Sequence, residues 1–251
     1  MSSFKIYKKS IKPSSSKQLF DQLLKVSNFY KPNIFKNSNC YPKLWTDQKF
    51  LNKMFLLRKD KKIFSVIYDT MKLSKTLTQL PYDNKLHKIA ANYLRKNEKN
   101  LMLRSVQLRM DFPFDFRNSY GWHQDNAYDK FNLQSKNSAI LWIPLVDTDV
   151  KNGTIVVKPG SENSTFNYSK RVKSGNKYES EQILVKKKYL KKYESKSINM
   201  IKNNCLATYG GLFHRSGENK SDHIRFTIVV RYNNILSKDF LFYRELNNFN
   251  Y

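Results

Sequence analysis

A chain of 251 residues that is 40 % hydrophobic and 14 % aromatic carries enough apolar surface to bury a substantial core, which excludes intrinsic disorder. Its longest apolar runs, such as Ala139 to Val146, are far too short to span a bilayer, and Cys40 and Cys205 cannot supply a disulfide framework. Lys and Arg number 46 against 20 Asp and Glu, and the resulting +26 points either to an anionic partner (nucleic acid, membrane surface or phosphate-bearing substrate) or to a composition rich in Lys, Asn, Tyr, Ile and Phe. The first residues lack the apolar segment of a secretory signal, so a reducing cytoplasm is the expected location. A single domain over residues 1–251 is expected.

The first hundred residues read mainly as helices. Ser14, Ser15 and Ser16 offer a cap before a segment whose Leu19, Phe20, Leu23 and Leu24 share one helical face. A second helix is expected from Thr46-Asp47, with Phe50, Leu51, Met54 and Phe55 apolar. A third covers about Lys62 to Leu73. A fourth follows Asp83, with Leu86, Ile89, Ala90 and Leu94 as its stripe. All four stripes read as core.

From Leu101 the pattern changes to strands between turn residues. Candidate strands are 101–112, 138–146, 154–158, 205–214 and 223–232, with turns at Asn152-Gly153 and Pro159-Gly160. Helices followed by strands give an α+β class. Residues 162–196 form a polar, basic insertion that includes Lys186 to Tyr193, either a lid or a solvated loop.

The chain has 4 His. His123 and Asp125 stand two apart, so in extended chain both side chains fall on one face. A His and a carboxylate so placed are two thirds of the 2-His-1-carboxylate set of non-haem iron oxygenases. The second His must come from His87, His214 or His223. His214 is the best placed, ending a candidate strand beside Gly210 and Gly211, whereas His87 lies on a helix and His223 follows a turn-like segment. Three protein ligands leave positions for a 2-oxo acid and O2. The far carboxylate of such a cosubstrate needs a cation, and a guanidinium binds it bidentately. Arg225 early in the next strand fits, sharing a face with Thr227 and Val229, and Ser216 could add a hydroxyl. His-x-Asp alone is a weak signal; the ordered combination is much stronger.

The segments Trp122–Asp125, Leu141–Asp149, Asn152–Ser161 and His214–Thr227 together resemble the phytanoyl-CoA dioxygenase family of Fe(II)/2-oxoglutarate oxygenases, over roughly residues 101–235. The resemblance implies a double-stranded β-helix (jelly-roll, cupin-like) core with N-terminal helices packed on one side. It implies that His123, Asp125 and His214 bind Fe(II), that Arg225 with Ser216 holds 2-oxoglutarate, and that Gln124 lies near the iron. Trp142 falls near a position where the family often has a pocket aromatic; core packing is the equal alternative. Two departures stand out: Asn203-Asn204-Cys205 replaces the usual Gly-Asp turn, and Glu162 follows Pro-Gly-Ser where His is usual. Related halogenases lose the carboxylate ligand, so the presence of Asp125 favours hydroxylation.

The implied reaction consumes 2-oxoglutarate and O2, releases succinate and CO2, and hydroxylates an unactivated C–H bond. The basic insertion, with Lys186–Tyr193 as first suspect, suggests a small anionic substrate: a nucleotide-linked sugar, a CoA or carrier thioester, or a biosynthetic intermediate. Two rivals are a nucleic-acid oxidative demethylase, invited by the charge and the Arg225/Arg231 spacing, and a basic jelly-roll binding module without catalysis. A cupin-like site for Zn²⁺ or Mn²⁺ is a smaller alternative.

Overall fold

The computed structural model describes residues 2–35, 44–115, 119–128, 131–132, 134–164, 169–172 and 182–241. Cys40, residues 165–168 and 173–181 of the basic insertion, and the chain end lie outside them. The strands of the described residues are, in chain order, β1 (Phe4–Tyr7), β2 (Leu101–Asp111), β3 (Ser138–Pro144), β4 (Val156–Lys158), β5 (Ser169–Val172), β6 (Gln182–Val185), β7 (Lys196–Ser197), β8 (Cys205–Tyr209), β9 (Phe213–Arg215) and β10 (Arg225–Asn234). The helices are α1 (Pro13–Tyr30), α2 (Gln48–Lys59), α3 (Lys61–Leu73), α4 (Lys75–Asp83), α5 (Leu86–Leu94), α6 (Asp125–Tyr128) and α7 (Lys187–Leu190). Among the described residues no helix is long and apolar enough to cross a membrane.

The expected helices form, with instructive differences at their starts. Helix α1 begins at Pro13, whose fixed φ suits a first turn, and Lys12 at the cap position makes no side-chain bond. The three serines therefore lie inside the first turn. Two of them bond other elements instead: Ser15 Oγ accepts from Asn84 Nδ2 at 3.0 Å, and Ser16 Oγ donates to Asn203 Oδ1 at 3.3 Å. Asp47 caps α2 and Asp60 caps α3, each carboxylate accepting an N–H of the first turn. Helix α4, which contains Pro81, was not among the expected helices. The proline is tolerated near the end of a short helix that Ser74 caps, and its ring is buried.

Strands β1–β8–β3–β10–β2 make a five-stranded antiparallel sheet, and β7–β4–β9 a three-stranded one. Side-chain alternation gives the large sheet two apolar faces. Val106, Leu108 and Met110 of β2, Leu141 and Ile143 of β3, and Phe226, Ile228 and Val230 of β10 join the buried stripes of α1–α5 in one core. Ile140, Trp142, Leu206 and Val229 point the other way and pack with Ile155, Val157, Ile198 and Leu212 of the smaller layer. The result is an α+β molecule with a jelly-roll core and helices on one side.

The segment 205–214, read as one strand, is two. The chain leaves the large sheet after Tyr209 and joins the small one at Phe213. Gly210 and Gly211 make the crossing possible: a Cβ on Gly210 would overlap Asn126 Oδ1 and Ser138 Oγ, and one on Gly211 would press on Ser135. Asn126 adjoins Asp125, so Gly210→Ala is expected to cost about 1–3 kcal/mol of stability by overpacking. It should also weaken metal retention. Thermal denaturation with and without metal checks both effects.

The basic insertion contributes β5, β6 and α7. Strand β6 is tied to the His123 loop: Gln182 Oε1 accepts from Gly121 N at 2.9 Å, and Val185 N donates to Trp122 O at 2.8 Å. Tyr128 Oη accepts from Ile183 N at 2.7 Å. This strand braces the His123 loop, whereas α7 is a basic turn at the surface.

Candidate metal centre

His123 and His214 come from segments far apart in sequence and meet across an antiparallel bridge. His123 N donates to His214 O at 2.9 Å, and His214 N to His123 O at 3.1 Å. This pairing puts both imidazoles on one side, their centroids 4.1 Å apart. Each ring is fixed by a carbonyl two residues earlier: His123 Nδ1 donates to Gly121 O (2.7 Å) and His214 Nδ1 to Leu212 O (2.9 Å). Holding the proton on Nδ1 leaves each Nε2 lone pair free to ligate.

Asp125 does not lie in extended chain. It opens the helical turn α6, formed as Ala127 N donates back to Gln124 O at 3.1 Å, while Asn126 N donates to Gly210 O. The carboxylate still converges on the histidines, because the turn bends toward the β8–β9 crossing. Its Oδ2 lies 3.5 Å from His214 Nε2. The ligand atoms of His123, Asp125 and His214 all fall within 4.8 Å of one another, and all three residues are buried. Burial, then the neighbouring His214, pushes His123 down to about 3, so it is neutral near pH 7. Burial alone would raise the Asp125 carboxyl, but Arg231, then His214 and His123, hold it at about 2. The neutral His123 imidazole and the ionised Asp125 carboxylate are therefore ready to bind a divalent cation without losing protons, and His214 Nε2 faces the same point.

Arg225 opens β10 and is 3 % exposed. Its Nη2 meets Asp111 Oδ2 at 2.8 Å, and its Nε and Nη1 are buried without a hydrogen-bond partner. Thr227 Oγ1, one step along the same face, is also buried and unpartnered. Ser216 Oγ accepts from Arg109 Nη2 and from Tyr120 N, each at 3.3 Å. Arg225, Ser216 and Trp142 line a cavity together with His123, Asp125 and His214; Thr227 is not among its lining residues. Gln124 is turned away: it is fully buried, and its Nε2 donates to Gly211 O (3.1 Å) and Ser164 O (3.3 Å). Neighbouring positions at the start of a turn cannot both face the same point, so Gln124 fixes the loop rather than lining the cavity. His87 pairs with Glu98 and His223 with Asp222, both away from this cluster.

Three further residues complete the site: Asp111 and Arg109, which the sequence reading did not single out, and Arg231, which it named only for its spacing from Arg225. Asp111 on β2 binds Arg109 through Oδ1 (3.0 Å) and Arg225 through Oδ2. Arg231 on β10 donates from Nε to Asp125 Oδ1 (3.0 Å), and its Nη2 forms an ion pair with the same oxygen at 2.9 Å. Strand parity could have found them, since 225, 227, 229 and 231 face inward on β10, as do 107, 109 and 111 in the paired register on β2. Burial would raise the Asp111 carboxyl, but Arg109 and then Arg225 bring it below its ordinary value. A carboxyl whose folded value is depressed contributes stability above its unfolded value of about 3.9, and loses that contribution as pH falls through the folded one. Acid denaturation midpoints should therefore shift less for Asp111→Asn than for the parent protein as pH drops below about 4.

A second cavity of about 350 Å³ opens beside His123 and Asp125, lined by Lys72, Arg104, Arg109, Tyr120, Tyr128 and Arg231 among others. Its cations come from α3, β2 and β10. Among the described residues none of Lys186–Lys192 lines either cavity, which corrects the expectation that this run rims the site.

The family model for phytanoyl-CoA dioxygenase (PhyH) matches residues 59–227, more than half of the chain. The chain belongs to the phytanoyl-CoA dioxygenase family. It is therefore a 2-oxoglutarate-dependent non-haem iron oxygenase with Fe(II) and 2-oxoglutarate as its cofactor and cosubstrate. No curated protein matches the chain by sequence. Solved structures share the family fold at low identity. Apo ThoJ, a non-heme monooxygenase, superposes with a TM-score of 0.58 at 15 % identity, over 93 % of this chain and 74 % of its own. The ThoJ–Ni complex gives 0.54 at 14 % over the same shares. AviO1 from Streptomyces viridochromogenes Tue57 gives 0.55 at 13 %, over 96 % of this chain and 93 % of its own. The residues present fit the family's metal and cosubstrate: Asp125 Oδ2 and the donors of Arg225 and Thr227 are buried polar atoms left without partners, a costly arrangement unless a ligand satisfies them.

Proposed function

We propose that this family member hydroxylates an unactivated C–H bond of a small anionic metabolite, with His123, Asp125 and His214 as the iron ligands. The observation that carries the reading is the convergence of these three buried groups beside unsatisfied Arg225 donors. Fe(II) held there supplies the oxidation, in which 2-oxoglutarate is decarboxylated to succinate and CO2 and one oxygen atom of O2 enters the substrate.

The chain's own residues do the rest. Arg225 receives the far carboxylate of 2-oxoglutarate through charge-assisted bonds, and Ser216, which lines the same cavity, offers a hydroxyl to the same end. Asp111 keeps the Arg225 guanidinium aimed inward while that carboxylate is absent. Trp142, Ile140, Ile155 and Val229 wall the cosubstrate cavity and exclude water. Substrate occupies the neighbouring cavity of about 350 Å³, where Lys72, Arg104 and Arg109 attract an anionic group and Tyr120 and Tyr128 supply flat surfaces. A nucleotide-linked sugar or a CoA or carrier thioester has this chemistry. The helical part shares one core with the jelly-roll, which supports a single catalytic domain over residues 1–251, and the lack of a membrane-crossing helix is compatible with a cytoplasmic enzyme.

The test is succinate formation from 2-oxoglutarate with Fe(II) and O2, repeated with a panel of nucleotide sugars, thioesters and phosphorylated metabolites. Turnover stimulated by an anionic compound supports the reading. Turnover stimulated only by methylated single-stranded nucleic acid would replace it with the demethylase, and metal-independent inertness would leave a binding module.

A further inference from the structure

Arg231 reaches the triad directly through Asp125. Two of its N–H groups, Nε and Nη2, converge on the same oxygen of Asp125, at 3.0 and 2.9 Å. A third, Nη1, donates to Gln107 Oε1 at 3.3 Å, which fixes the guanidinium from the side of β2. The other oxygen, Asp125 Oδ2, is buried, has no hydrogen-bond partner, and faces His214 Nε2. The arginine therefore does not neutralise the carboxylate evenly. It occupies one oxygen and presents the other.

The backbone explains how it reaches there. Arg231 is the last of four inward positions on β10, after Arg225, Thr227 and Val229. Its pairing with β2 breaks at that point: Arg231 is opposite Ser105, but Tyr232 is opposite Leu103, with Arg104 passed over. Pairing with β3 continues without a break, Arg231 opposite Ile140 and Tyr232 opposite Ala139. A bulge confined to one neighbour re-aims local side chains without moving the strand out of the sheet.

We infer that Arg231 is a positioning residue for the metal: by holding Oδ1 it fixes the rotation of the Asp125 carboxylate, so that Oδ2 alone is offered as the third ligand atom. The inference rests on the assignment of Asp125 as a ligand. Outer partners of metal ligands contribute about 10–100-fold to metal affinity. An arginine satisfies this role better than lysine, because two donors in a fixed plane define an angle where a point charge defines only a distance.

The experiment is Mn(II) binding to the full, metal-free chain, read by electron paramagnetic resonance, for the parent protein, Arg231→Met, Arg231→Lys, Asp125→Ala and the double variant Asp125→Ala/Arg231→Met. Thermal melts of each, without metal, show that the variants are folded. The expected result is Mn(II) affinity lower by about 10–100-fold in Arg231→Met, with partial recovery in Arg231→Lys. On the Asp125→Ala background the Arg231 change should add nothing, since its effect passes through the carboxylate. An Arg231→Met protein that is folded and binds Mn(II) as the parent does overturns the inference, as does an effect of full size on the Asp125→Ala background. Affinity indifferent to Asp125→Ala itself would instead remove the triad assignment beneath it.

Discussion

His123→Ala, Asp125→Ala and His214→Ala each reduce 2-oxoglutarate turnover by about 10³-fold or more, because metal catalysis supplies several kcal/mol of barrier lowering and each 1.4 kcal/mol is a factor of ten. The three variants are not equivalent in stability. His123 is buried and neutral, so its removal opens a small space but strands no charge. His214 is buried as well, and its ring packs against His123. Asp125→Ala is different: it leaves the guanidinium of Arg231, with a side chain only 19 % exposed, without its counter-ion. Breaking a buried pair from one side costs about 3–5 kcal/mol. Asp125→Ala should therefore melt well below the histidine variants, although all three lose turnover. Succinate assays paired with calorimetry separate the catalytic from the structural loss.

Arg225→Ala raises the KM for 2-oxoglutarate by about 10–100-fold, the equivalent of losing one charged hydrogen-bonded contact worth about 1.5–3 kcal/mol. Arg225→Lys keeps the charge but not the planar fork, and should recover only part of it. Asp111 retains Arg109 as a partner in either variant, so the protein is expected to stay folded. The comparison with Asp111→Asn is informative. That change touches no ligand of the metal, yet it releases both Arg109 and Arg225, and through Arg109 the contact to Ser216. It should raise the same KM by a smaller factor while leaving Mn(II) affinity unchanged. Steady-state kinetics in 2-oxoglutarate, at saturating Fe(II), read all three.

Much of this was legible in the sequence, and the failures have physical causes. The order His-x-Asp, His, Arg identified the residues that converge, because a metal site and a carboxylate anchor need those side chains whatever the backbone does. It gave the wrong backbone for Asp125, since a spacing of two fits both an extended segment and the start of a turn. The helices were visible as apolar stripes, but α4, with Pro81 inside it, was not among them, and the start of α1 was obscured by Ser14, Ser15 and Ser16, two of whose hydroxyls serve tertiary contacts. The division of 205–214 between two sheets was signalled by Gly210-Gly211, yet adjacent glycines also suit a single strand with a bulge. Asp111 and Arg109 escaped notice, and Arg231 was noticed only for its spacing from Arg225, for a different reason. Each looks like an ordinary strand charge until β2 is set against β10, and that register is a property of the fold. Gln124 was expected near the iron, as a support of the ligands or a contact to the cosubstrate, and its side chain donates to the carbonyls of Gly211 and Ser164.

The central claim is that one buried cluster binds both Fe(II) and 2-oxoglutarate, the metal through His123, Asp125 and His214 and the cosubstrate through Arg225. The most direct measurement is anaerobic: Fe(II) and then 2-oxoglutarate are added to the metal-free protein, and the visible spectrum is followed for the weak charge-transfer band of a keto acid chelated to iron. The account predicts a band in the parent protein, a much weaker one at the same 2-oxoglutarate concentration in Arg225→Ala, and none in His123→Ala. A folded parent protein that gives no band, or a band that survives His123→Ala undiminished, would contradict it.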